Sequence, residues 1–131
     1  MRTRTSLAYV IGALFTPVAA FPACYIASDL QGSSVRQGDK FQLAQGGFSG
    51  KEFQLQFNGE NSSVSPSELG CLQVGTFTLL CLDSGIEAQA VIETWSVYPA
   101  QGVVVHTKII NGYGNFNGGQ VFTGNLKGLC K

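Results

Sequence analysis

Glu52-Phe53-Gln54-Leu55-Gln56-Phe57 alternates polar and apolar residues without a break and stops at Asn58-Gly59. Side chains of a strand point alternately to its two faces, so this stretch sets three large apolar groups on one side and Glu and Gln on the other. That is the pattern of an antiparallel strand with one dry and one wet face. The Asn-Gly pair is the dipeptide of a tight hairpin turn. Just upstream, Lys40-Phe41-Gln42-Leu43-Ala44-Gln45 carries the same period and is expected to form a second strand, ended by Gly46-Gly47.

Further along, Leu72-Gln73-Val74-Gly75-Thr76-Phe77-Thr78-Leu79-Leu80 lies between Cys71 and Cys81. Gly75 can fold this run into a hairpin that brings the two sulfurs together. Residues 86–97 mix Ala and Glu with Val91, Ile92, Thr94, Trp95 and Val97, and the strand formers decide for a strand. Tyr98-Pro99-Ala100-Gln101-Gly102 reads as a turn. Val103-Val104-Val105-His106-Thr107-Lys108-Ile109-Ile110 is the strongest strand signal in the chain, and residues 120–125 form a last one after the Gly/Asn-rich stretch 111–119. Six to seven short strands separated by turns predict an all-β domain, a small antiparallel barrel or sandwich stapled by two disulfides. Residues 25–38 have room for one short helix. The alternative is therefore an α+β, ribonuclease-like sheet with that helix.

The first twenty residues predict a secretory signal peptide. Arg2 and Arg4 give a basic start, residues 7–15 are apolar but shorter than a membrane span, and Val18 and Ala20 place small residues where signal peptidase reads. Residues 21–131 then form a single secreted domain, and the polar, charged end at Lys131 predicts no membrane anchor. Without Arg2 and Arg4, six basic residues face eight acidic ones, a formal charge of −2 with no basic cluster. Polyanion binding needs such a cluster, so nucleic acid is not an expected partner. A monomer is expected.

In an oxidising compartment, four cysteines read as two disulfides. Three connectivities are open, and the favoured one ties Cys24 to Cys130 across the chain ends, with Cys71–Cys81 as a local clasp. A zinc site lacks any close Cys-x-x-Cys pair, so neither metal nor cofactor is expected. Asn61-Ser62-Ser63 is an N-glycosylation sequon in a stretch that reads as an exposed loop.

His106 is the single histidine, and any general-base chemistry must run through it. Pairing across a turn centred near Ala100 sets it opposite Glu93 or Thr94, as base and orienter, or as an ordinary surface cross-strand pair with Lys108 nearby. No nucleophile elbow or phosphate-cradling loop is present, so no catalytic residues are assigned and the protein is expected not to be an enzyme. The binding candidates are Tyr113, Asn115, Phe116 and Asn117. There the aromatics offer flat faces and the glycines let backbone approach a ligand.

Residues 102–107, with the Cys24…Cys130 frame, resemble the histidine strand of the small fungal ribonucleases of the guanine-specific type. Those enzymes pair the histidine with a glutamate and an arginine on neighbouring strands. In this chain the one arginine beyond the leader, Arg36, is far upstream. The resemblance thus implies a ribonuclease-like scaffold without activity. In length, leader and cysteine economy the whole chain resembles the small secreted proteins of filamentous fungi, many of which are effector candidates in plant pathogens. That resemblance implies a non-enzymatic virulence factor or elicitor that binds a host protein outside or inside host cells. A cell-wall or carbohydrate-binding role for residues 111–119 is the alternative.

Overall fold

A computed structural model describes residues 22–83 and 85–131. The leader read from residues 1–20 lies outside them. Among the described residues eight strands follow one another: β1 (Ala23–Arg36), β2 (Ala44–Phe57), β3 (Ser63–Ser65), β4 (Gly70–Val74), β5 (Thr78–Asp83), β6 (Ala90–Tyr98), β7 (Val103–Asn111) and β8 (Gly118–Leu129). They form one antiparallel sheet in the order β3-β2-β1-β8-β7-β6-β5-β4. Apart from β3 and β4, consecutive strands are neighbours, and β1 pairs with β8 so that the first strand joins the last. The two edges meet through a single bridge, Ser62 to Cys71. The result is a nearly closed up-and-down barrel, the all-β architecture expected, with eight strands rather than six or seven and three of them long.

The stretch 25–38 holds no α-helix; residues 25–36 belong to β1. Tyr25, Ile26, Ser33, Ser34 and Val35 suit a pleated strand, and bonding to β2 on one side and β8 on the other outweighs any helical tendency. Asp29 adopts a left-handed backbone at the register shift between β1 and β2, a bulge that bends the strand around the barrel. The strand expected at 40–45 also fails in part. Lys40 and Phe41 take left-handed conformations in a turn, and β2 starts only at Ala44. Gly46-Gly47, expected to end a strand, lies inside β2, and at Gly47 β1 passes too close for a side chain: a Cβ there would collide with the Leu30 carbonyl.

Both disulfides take the favoured pairing. Cys24–Cys130 bridges Cα atoms 5.2 Å apart, and the Cys130 N–H donates to the Cys24 carbonyl at 2.9 Å. Cys71 and Cys81 face each other across the β4–β5 hairpin. The two bridges span 106 and 10 residues of sequence. Loop-closure entropy then makes the first worth roughly 4–5 kcal/mol and the second a little under 3. In urea unfolding, the Cys24→Ala/Cys130→Ala pair should lose more stability than Cys71→Ala/Cys81→Ala. The reverse order would contradict the barrel-closing role of the terminal bridge.

Candidate functional site

Inward-facing residues of β6, β7 and β8 form cross-strand rows. Val97, Val104 and Gly124 make an apolar row; Trp95, His106 and Phe122 make an aromatic one; Glu93, Lys108 and Gln120 make a polar one. The apolar row continues the dry core of Leu30, Leu55, Phe57, Val64 and Leu79. Two rings from β2 complete the aromatic layer. Phe48 packs on Phe122 and Phe53, with centroids at 5.6 and 5.7 Å, and Phe53 packs on Trp95 at 5.1 Å. Trp95 stacks on His106 at 3.9 Å. Above this floor the barrel opens into a cavity of about 270 Å³ lined by Lys51, Pro66, Ser67, Glu93, Lys108 and Gln120 together with the rings.

His106 is therefore no surface residue: it is only 2 % exposed. Its partner across the turn is Trp95, not Glu93 or Thr94. The loop between Tyr98 and Val103 holds four residues, which centres the pairing half a residue later than a turn on Ala100 would. A shift of one residue exchanges the faces of a strand. Glu93 faces Lys108 instead, and their side chains form an ion pair at 3.1 Å. The other Glu93 oxygen accepts from the Trp95 indole N–H at 3.3 Å. The polar atoms of this layer are thus partnered, as burial requires.

The histidine's hydrogen bonds place a proton on Nδ1. Its Nδ1 lies 3.2 Å from the Thr94 carbonyl, which can only accept, so Nδ1 carries the proton. Nε2 then accepts from the Gln120 amide at 3.1 Å. Burial pushes the imidazole below its ordinary pKa of 6.5, opposed by the Glu93 carboxylate and the Thr94 carbonyl and reinforced by Lys108. A proton on Nε2 would also set two donors against each other unless the Gln120 amide turned over.

The binding candidates from the sequence sit elsewhere, in the turn between β7 and β8. Phe116 is 68 % exposed and Tyr113 half-buried. Asn115 is exposed, but Asn117 is committed to the turn. Its Oδ1 accepts from the Tyr113 N–H at 2.7 Å and its Nδ2 donates to Gln37 at 3.0 Å. Arg36 lines a narrow crevice with Phe116, Lys108 and Gln120 and does not touch His106. Asn61 of the sequon is exposed at the end of a 3₁₀ turn. All four cysteines are in disulfides, and among the described residues no cluster of His, Cys, Asp or Glu is placed to hold a metal.

A second feature, missed by the sequence reading, lies on the outside of the same strands. Leu72, Leu80, Thr94, Thr107 and Val121 form one cross-strand row, and Leu82, Ile92, Ile109 and Gly119 the next. Ile109 and Val121 are 55 % and 57 % exposed. The hydroxyls of Thr94 and Thr107 bond to each other, as do those of Thr78 and Ser96 at 2.8 Å, which lowers the demand of this face for water. No charged residue occupies these rows. Leu72, Leu82 and Ile92 are exposed as well, so the two rows form a contiguous apolar patch. Beyond Val121 its first row turns polar at Ser33 of β1 and Gln45 of β2, where the Gln45 amide donates to the Ser33 hydroxyl at 2.9 Å. The signal for it was present as apolar residues at alternate positions of β5, β6 and β7, but both faces of these strands are apolar, so sequence alone does not say which one is wet.

No family model, curated protein or solved structure matches this chain. Among the described residues no helix is long and apolar enough to cross a membrane. The two disulfides suit an oxidising, extracellular environment.

The depressed His106 pKa fixes a sign for stability. Near pH 6.5 the unfolded chain takes up a proton that the folded one refuses. The contribution of the neutral imidazole is complete above that pH and is lost as pH falls through the folded value. In urea unfolding, the stability gap between wild type and His106→Phe should therefore shrink from pH 7 to pH 5. A gap that stays constant would contradict the buried, neutral histidine.

Proposed function

We propose that this protein is an exported, non-enzymatic binding module of the effector type, and that it docks a host protein through the outer face of β4–β8. The observation that carries the reading is the charge-free apolar face. Contiguous apolar surface of this extent is costly to leave in water and marks interaction surfaces. Without charges, it fits a partner surface that is itself apolar and neutral. The one-sided extent of the patch argues against a membrane-spanning barrel, whose whole circumference faces lipid, and the lack of basic residues in its rows argues against an anionic lipid surface.

The mouth supports binding over catalysis. His106 Nε2 is engaged by Gln120, and Glu93 is held by both Lys108 and Trp95, so neither is poised as a base. The arginine that the ribonuclease resemblance requires does not join this group. Carbohydrate binding at residues 111–119 has less support, because Asn117 is committed to the turn. Export through the predicted leader, with entry into host cells left open, completes the proposal.

Ile109→Lys places a charge at the centre of the face and should change folding stability by no more than about 0.5 kcal/mol, as an exposed substitution. Infiltrated into host leaf tissue, wild type should provoke a cell-death or immune response that Ile109→Lys loses. Equal responses, or none from either protein, would sink the proposal. A dimer in sedimentation that Ile109→Lys dissociates would reassign the face to self-association.

A further inference from the structure

The cavity above the aromatic floor combines features that its own structural role does not require. Phe48 and Phe53 wall one side, and Lys51 extends over them, its Nζ 5.5 and 5.4 Å from the two ring centroids. Among the described residues no carboxylate lies within ion-pair distance of this amine, whereas Lys108 is neutralised by Glu93 and Lys127 by Glu52. The neutral His106 adds no charge. The cavity therefore holds one uncompensated positive charge at its rim beside an apolar wall, with Ser67 and Gln120 as polar groups. Its volume, about 270 Å³, exceeds the roughly 150 Å³ that holds a benzene molecule. Mouths of β-barrels are recurrent ligand sites, with apolar walls and few polar groups.

We propose that the barrel mouth binds a compact anion carried on an aromatic ring, a carboxylate or a phosphate, with the ring against Phe48 and Phe53 and the anionic group on Lys51. The site is independent of the outer face and of any effector role, so either can fail alone. Lys51 supplies the charge preference. The rings and the closed floor supply the preference for a flat apolar body and limit the ligand to about one ring. Glu93, already paired, does not repel the anion as a free carboxylate would.

The single tryptophan, Trp95, belongs to the floor, so its fluorescence reports directly on the mouth. Titrating the secreted protein with benzoate and with phenyl phosphate should give a saturable change with at least one of them, and which one identifies the anionic group. Lys51→Ala should weaken that binding at least tenfold at unchanged thermal stability, and Lys51→Arg should retain it. Acetate, inorganic phosphate and phenethylamine should bind at least tenfold more weakly than the better aryl anion. The proposal is overturned by no saturable change up to about 10 mM, where even a site with a Kd of about 1 mM would be roughly nine-tenths filled. It is equally overturned by binding indifferent to Lys51, or by acetate, inorganic phosphate or phenethylamine binding as tightly as the aryl anions.

Discussion

The antiparallel register that sets Trp95 opposite His106 and His106 opposite Phe122 organises the functional half of this molecule. Because side chains alternate between faces, one register assigns every residue of three strands to the interior or the exterior. Inside, it stacks an apolar, an aromatic and a polar row in order toward the mouth. Outside, it lines up Leu82, Ile92 and Ile109 with the Thr94–Thr107 pair beside them. A slip by one residue would bury the threonines and isoleucines and expel Glu93, His106 and Lys108.

That register is held by closure. A two- or three-stranded ribbon of these segments would be marginal in water. Here β8 continues onto β1, and β1 onto β2, so the rings of Phe48 and Phe53 are delivered from the far end of the chain to the floor built by β6 and β7. The Cys24–Cys130 bridge locks the ends of β1 and β8 where this closure is made. The opposite seam, between β3 and β4, is joined by one bridge and by the Gln73 side chain, whose carbonyl accepts from the Gly59 N–H at 3.0 Å.

The all-β class, the hairpin across Cys71–Cys81, the strand through His106 and both disulfides were legible in the sequence. Those features rest on local alternation, turn residues and cysteine count. Residues 40–43 misled because Phe41 and Leu43 alternate like a strand although both are exposed in a turn and the loop that follows it. Gly46-Gly47 misled in the other direction, since a glycine demanded by close strand approach looks like a breaker. His106 was recognised as a candidate, but its partner was misjudged through the turn centre. Lys51, Phe48 and Gln120 come to the mouth from β2 and β8. No short-range pattern links them to His106, so the site could not be assembled before the topology was known.

The imidazole of His106 gives the most direct test of this arrangement, because its tautomer depends on Thr94 from β6 and Gln120 from β8 both being in place. Nitrogen-15 NMR of the histidine ring at neutral pH should show a neutral imidazole protonated at Nδ1, with Nε2 as the acceptor. An imidazolium, or the Nε2-protonated tautomer averaging freely with the other, would contradict the register and the floor built on it.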